Sequence, residues 1–265
     1  MTKRFFPGVI DYSGRMSAGY PSGRALSPKT AGTWSALVEP FVSKGRQTRI
    51  LDLGAGSGRF TQLFAREFDA HVIGVEPSTA MLDAADASAQ PRQVGYVAGC
   101  AEAIPLRDLT CDLAWLSQVW HHVRDHEDCA RELRRILLPG SHVLVRGTFG
   151  DQLDGFPTLF HFWPGTKEIC QQLPTIRHTV CVFEANGFVF TEHQRVNQAT
   201  ASSLQEFANR TRFRVDTSLA LISDSEFQDG QAAIETAAAN EDEPVPVIET
   251  IELLVFKDSR YGNVR

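Results

Sequence analysis

Long apolar runs are missing from this sequence. No stretch approaches the roughly 20 consecutive apolar residues that span a bilayer. The opening MTKRFFPGVIDYSGR lacks the apolar core of a secretory leader. A basic excess is missing too: 26 Lys and Arg stand against 32 Asp and Glu, a formal net charge of −6. Partners with a phosphate backbone require a basic field or stripe, so nucleic acid is disfavoured. Paired cysteines are also absent. Cys100, Cys111, Cys129, Cys170 and Cys181 are scattered, odd in number and without a CxxC. That pattern reads as free thiols in a reducing compartment. There are no internal repeats. These absences lead us to expect a soluble cytoplasmic protein, monomer or homodimer, without a membrane or nucleic-acid partner.

What is present is an alternation. The 265 residues, 43% of them apolar, suit one α/β domain with a modest insertion. Residues 1–30 are rich in Gly, Pro, Ser and Tyr and carry no clear period, which suits a tail or an arm laid over a site. A helical pattern begins near Thr30, with Trp34, Leu37, Val38, Phe41 and Val42 on one face. RILDLG, HVIGVE, QVGYVAG, CDLAWLSQ and SHVLVRGTF read as five short strands. Helical segments lie between most of them, including DHEDCARELRRIL, which Pro139-Gly140 stops. FVFTEHQRV and PVIETIELLVFK add two more strands, and residues 201–239 read as one or two helices. The expected fold is therefore α/β: a Rossmann-like, seven-stranded, mostly parallel sheet with helices on both faces. An arm over 1–30 precedes a domain over 31–265, whose segments near 151–187 and 201–240 form a helical and aromatic cap after strand five.

The chemistry concentrates in ILDLGAGSGRF. A strand ends at Asp52-Leu53, and Gly54, Gly56 and Gly58 then lead into a helix. Glycines there permit a tight turn and close approach to a ligand. The spacing is GxGxG rather than the GxGxxG of dinucleotide sites. Asp52 would repel a pyrophosphate, but a carboxylate can accept from an ammonium such as that of S-adenosylmethionine. Glu76 closes the second strand, eighteen positions past Gly58, where a carboxylate can accept both ribose hydroxyls. That feature alone does not separate NAD from S-adenosylmethionine.

These blocks, with VAGCAEAIPLRDLTCDLAWLSQVWHHV and LRRILLPGSHVLV, run in order from about Arg49 to Val145. Together they resemble the small-molecule class I S-adenosylmethionine-dependent methyltransferases, akin to those of ubiquinone and menaquinone biosynthesis. YSGRMSAGYP resembles the Tyr-and-Arg arm that closes over the cofactor in one branch. The resemblance implies S-adenosylmethionine as cofactor and a small-molecule acceptor, aromatic metabolites among the candidates. It places Asp52, Gly54, Ala55 and Gly56 on the methionine and ribose side, Glu76 on the ribose, and Pro77 and Met81 beside the adenine. It puts Ala101 at the adenine edge, Gln118 near the methionine moiety, and Tyr12, Arg15 and Tyr20 over its carboxylate end. The sequence departs from the family at Cys100, where an aspartate is usual and Glu102 is the substitute, and at Ser141 in place of a glycine.

Gln118, His121 and His122 would share one face if a helical turn follows strand four. His122, and after it His121, is the candidate general base; either is equally readable as a packing or capping residue. His161 is a secondary base candidate. Phe156, Phe160, Phe162 and Trp163 read either as a substrate cover or as core. His122, His126 and Cys129 recur at helical spacing, but no further ligands join them, so no metal is expected. Three alternatives stay open: a cyclase built on the same fold, a non-catalytic cofactor-binding regulator, and, more distantly, an NAD-dependent oxidoreductase.

Overall fold

The structure is a computed structural model describing residues 12, 15–43, 47–86 and 91–260, the side chains of 15–17 and 21 excepted. The remaining positions of the 1–30 arm lie outside the described residues.

Seven strands form one sheet: β1 (Arg49–Leu53), β2 (His71–Glu76), β3 (Val94–Ala98), β4 (Cys111–Ser117), β5 (Leu137–Gly147), β6 (Phe188–Ala201) and β7 (Val247–Asp258). Their order is β3-β2-β1-β4-β5-β7-β6. The first five are parallel, and β7 pairs antiparallel with both β5 and β6. The chain reverses direction of growth between β1 and β4, so the carboxyl ends of those strands open a ligand crevice. The helices are α1 (Arg15–Gly23), α2 (Pro28–Val38), α3 (Arg59–Phe68), α4 (Thr79–Asp86), α5 (His126–Ile136), α6 (Pro157–Phe162), α7 (Gly165–Cys170), α8 (Ile176–Ala185), α9 (Leu204–Thr211), α10 (Thr217–Leu221) and α11 (Asp224–Ala239).

Both faces of the sheet are covered, as near-continuous apolar strands require. On one face Trp115 packs against Trp34, Phe60 and Phe64 from α2 and α3. On the other, Phe183 of α8 packs between Trp120 and Phe256. Among the described residues, no helix is long and apolar enough to cross a membrane.

Local expectations shift in four places. The arm contains a helix, α1, which the sequence pattern does not announce. A helix this short depends on tertiary packing. Gly19 and Gly23 provide it, because a Cβ at either would stand within 3.3 Å of Phe213 or Val215 side-chain atoms. α2 starts before Thr30, at Pro28, because Ser27 caps it by accepting from Thr30 N. α5 ends at Ile136, and Pro139-Gly140 lies instead within β5, at a register shift where Gly140 takes φ +78°. The 201–239 region forms three helices rather than one or two.

The β6–β7 hairpin matters most for function. Gly147, the last residue of β5, pairs with Glu252, so β7 residues 247–251 and their β6 partners project past the carboxyl edge of the parallel strands. That overhang brings Gln198, Thr200, Glu249 and Ile251 over the crevice.

Candidate active site

Two cavities meet at the carboxyl ends of β1, β2 and β4. The first, of about 290 Å³, is lined by Gly54, Gly56, Glu76, Pro77, Met81, Cys100, Ala101, Glu102, Gln118 and His122, among others. The glycine turn divides its labour. Gly54 and Gly56 line the cleft with φ of +69° and +56°. Gly58 faces away from it: its φ is +77°, and an added Cβ would lie 1.9 Å from the Tyr96 hydroxyl.

Glu76 is 7% exposed. Its Oε2 accepts from Gly56 N and its Oε1 from Ser78 N, each at 3.0 Å. Burial pushes this carboxyl up, and the two backbone donors oppose that. Each oxygen keeps acceptor capacity for a hydroxyl. Glu102 also lines the cleft, with its Oε1 accepting from Arg124 N at 2.7 Å.

Asp52 behaves differently from the expectation. It lines neither cavity, and its buried carboxylate accepts from Thr61 Oγ1 at 2.6 Å under the turn. Burial pushes it up to about 6, against the Thr61 bond and Arg59. Ala55 likewise lines neither cavity, and its N–H donates to Val75 O. The Arg15 side chain lies outside the described residues.

The second cavity, of about 90 Å³, lies under the β6–β7 overhang and is lined by α6, α7 and the 215–218 segment. Its polar wall includes Arg24, Arg59, Arg146, Asp216, Glu249 and His121, and its apolar wall includes Phe156, Leu159, Ile169 and Leu173. Of the aromatic set, Phe156 alone reaches this cavity. Trp163 is fully buried, and Phe160 and Phe162 pack against the core. His161 lines neither cavity.

Tyr12, Tyr20 and Gln118 line both cavities and so form their junction. Gln118 sits there with φ +56°, on a tight turn out of β4. A 3₁₀ turn over Trp120–His122 follows. It parts the two histidines: His122 faces the first cavity and His121 the second, with ring centroids 4.0 Å apart. Tyr12 Oη is 2.7 Å from His122 Nε2. Burial pushes the Tyr12 phenol up, so it stays protonated. His121 is held well below the usual imidazole range by burial, then by His122 and Arg24.

His126 leaves the candidate set. Its Nε2 bonds Trp120 O at 2.9 Å and its Nδ1 bonds His178 Nε2 at 3.0 Å, between α5 and α8. Among the described residues, no three His, Cys, Asp or Glu side chains group as metal ligands.

Sequence reasoning missed the arginines. Arg146 was readable as a lone cation in the apolar run HVLVRGTF. Arg24 and Arg59 carry no comparable signal, because the fold alone brings them to Arg146.

The first cavity's donor set fits S-adenosylmethionine. A buried carboxylate suits a diol, Pro77 and Met81 offer apolar contact to a base, and glycine backbone permits close approach. Among the described residues that line it, Arg124 is the one Lys or Arg, against Glu76 and Glu102, which does not suit a pyrophosphate.

Residues 51–145 match the methyltransferase domain family model. An uncharacterized methyltransferase of Mycobacterium tuberculosis is 38% identical over 136 residues, 51% of each chain. The chain thus spans about half the length of that curated relative. A phosphoethanolamine N-methyltransferase of Haemonchus contortus, solved with S-adenosylhomocysteine, superposes with a TM-score of 0.62 at 19% identity, over 98% of this chain and 61% of that one. The [4+2]-cyclase SpnF superposes with a TM-score of 0.61 at 19% identity, over 90% and 84%. Residues 51–145 thus match a methyltransferase domain, and the chain as a whole shares the fold of these solved proteins.

Proposed function

We propose that this chain catalyses methyl transfer to an O, N or C nucleophile of a small acceptor held in the second cavity. The carrying observation is the junction: Tyr12, Tyr20 and Gln118 are shared by a cleft suited to the cofactor and a separate small cavity. When bound, S-adenosylmethionine supplies a methyl group already activated by its sulfonium. Glu76 would hold the ribose hydroxyls, Pro77, Met81 and Ala101 the adenine, and Gly54 and Gly56 the approach to the methionine side. Cys100 and Glu102 border the adenine end.

The protein's own contribution is orientation, exclusion of water and proton removal. Tyr12 and Tyr20 support reading the 1–30 arm as a lid, and Phe156, Leu159 and the 215–218 segment support reading the post-β5 elements as an acceptor cap. His122 is the better base. Its partner Tyr12 reaches the acceptor side, so a proton can pass from acceptor to Tyr12 oxygen while the Tyr12 proton moves to His122 Nε2. His121 faces the acceptor, but its depressed basicity makes it a weak base.

The test is formation of S-adenosylhomocysteine and a methylated product, followed by mass spectrometry over a panel of small acceptors. Acceptor turnover without S-adenosylhomocysteine would favour cyclase-type chemistry on this fold. Cofactor binding without any turnover would favour a regulator.

A further inference from the structure

The second cavity has an unusual charge inventory. Arg24, Arg59 and Arg146 all line it. Arg24 is matched: its Nη2 donates to Asp216 Oδ2 at 2.5 Å. Burial pushes the Asp216 carboxyl up, yet Arg24 and Ser218 together hold it below the ordinary value, so that pair is ionised. Among the described residues, the other two arginines are not matched. Arg146, 3% exposed, donates to Ser117 Oγ and Gln198 Oε1, both neutral, and its Nε has no partner there. Arg59 donates from Nη1 to Arg24 O, and no described carboxylate lies within ion-pair distance of it. Both guanidinium carbons stand within 5.5 Å of the Phe60 ring centroid, and both groups line the one cavity.

Asp52 acts on the partly buried Arg59 only from beyond ion-pair distance, and a cation removed from water without a directly paired counter-charge is costly unless something repays it. Glu249 shares the cavity, but it makes no ion pair with either arginine, and burial pushes it toward its neutral form. Burial and the mutual repulsion of Arg59, Arg24 and Arg146 also weaken the hold of Arg146 on its proton. An anion arriving in the cavity would relieve all of these effects together. Guanidinium forks are the side chains best shaped for a carboxylate or phosphate.

We propose that Arg59 and Arg146 bind an oxyanion of the acceptor, making the substrate a small carboxylate or phosphate ester whose apolar body lies against Phe156, Leu159 and Ile169. This rests on reading the second cavity as the acceptor site. It explains why the overhanging hairpin brings Gln198 to Arg146: the amide fixes one edge of the guanidinium without neutralising it. The matched Arg24–Asp216 pair fastens the arm to the cap and leaves the charge of the other two for the ligand.

The experiment measures binding without turnover. Protein saturated with S-adenosylhomocysteine is titrated with benzoate, phenyl phosphate, benzamide and benzylamine, read by calorimetry and by tryptophan fluorescence, since the Trp34 ring centroid lies 4.5 Å from the Arg146 guanidinium carbon. Either anion should bind at least about tenfold more tightly than benzamide, the factor expected for charge-assisted hydrogen bonds. The tighter of the two anions identifies the oxyanion. Arg59→Gln should remove most of that preference while leaving benzamide and S-adenosylhomocysteine affinities unchanged. Arg146→Gln should do the same, and Arg146→Lys provides a charge-retaining control if the glutamine variant melts early. No anion binding up to about 10 mM, the range of very weak ligands, overturns the proposal. So does equal binding of benzamide, tighter binding of benzylamine, or a loss of S-adenosylhomocysteine affinity in both variants. The last result would assign the arginines to the cofactor's own carboxylate. A normal anion response in a protein that never forms S-adenosylhomocysteine would count against methyl transfer alone.

Discussion

Tyr12 Oη and His122 Nε2 share a hydrogen bond of 2.7 Å across 110 positions of sequence, joining the arm to the turn after β4. The bond spans the junction of the two cavities, because Tyr12 lines both while His122 lines the first alone. If the pair relays the acceptor's proton, removing either member breaks one chain. His122→Ala and Tyr12→Phe are each expected to lower kcat by about 10²–10⁴, the usual worth of general-base help. The double variant should lose little more than either single one, because residues acting as a unit are not additive. Raising the pH should partly restore His122→Ala when the acceptor is a phenol. Normal kcat in all three variants would make the histidine structural.

Glu76 has two backbone donors, and that arrangement predisposes its remaining lone pairs toward a diol. Glu76→Ala should weaken S-adenosylhomocysteine binding by about 1–3 kcal/mol, the scale for hydrogen bonds to a charged group. Isothermal calorimetry reads this directly. Glu76→Gln should lose less, since an amide oxygen still accepts from one backbone donor. Equal affinity in the wild type and the alanine variant would reduce Glu76 to a strand terminus.

The sheet and the lining of the first cavity were legible in sequence for a physical reason. Buried parallel strands are short apolar runs, and a glycine turn must follow β1 for the backbone to reach positive φ. The place of Glu76 in that cavity was legible because the carboxyl ends of the strands meet there in this topology. Asp52 was only half legible: the pattern placed an acid at the end of β1, but Thr61, nine residues on, captures its carboxylate. The second cavity was hidden. Arg24, Arg59, Arg146 and Glu249 come from the segment after α1 and from α3, β5 and β7, and their meeting depends on a hairpin overhang that no local pattern encodes. The helix α1 was hidden as well, because its glycines show no helical period and act as contact surfaces against Phe213 and Val215.

Gly58 provides a stability test of the glycine turn. A Cβ there would stand 1.9 Å from Tyr96 Oη, on a residue with φ +77°. Gly58→Ala is expected to destabilise the fold by at least about 2 kcal/mol, combining left-handed backbone cost with the clash. Tyr96→Phe removes the clashing oxygen, so the same substitution should cost less in that background. Denaturant midpoints of the four proteins measure the coupling. A penalty of equal size in both backgrounds would leave backbone strain as its whole cause.

Asp52 contributes one resolvable part of the pH dependence of stability. Its native carboxyl is pushed up to about 6 from an unperturbed 3.8, chiefly by burial. A carboxyl raised in this way binds its proton more tightly folded than unfolded. Its contribution is therefore most favourable below the unfolded value and is lost as pH rises through the native one. Above that window the native state holds a buried anion that accepts from the Thr61 hydroxyl. Asp52→Asn removes the charge and keeps an oxygen for that hydroxyl. Without cofactor, the variant should exceed the wild type in stability by on the order of 2–3 kcal/mol at about pH 8, because each tenfold difference in proton affinity is worth about 1.4 kcal/mol. The advantage should shrink steadily below about pH 6 and vanish near about pH 4, where both side chains are neutral in the native state. Urea unfolding at a series of pH values tests the sign as well as the size. An advantage that grows toward acid would mean the native carboxyl is stabilised as the anion, with Arg59 outweighing burial.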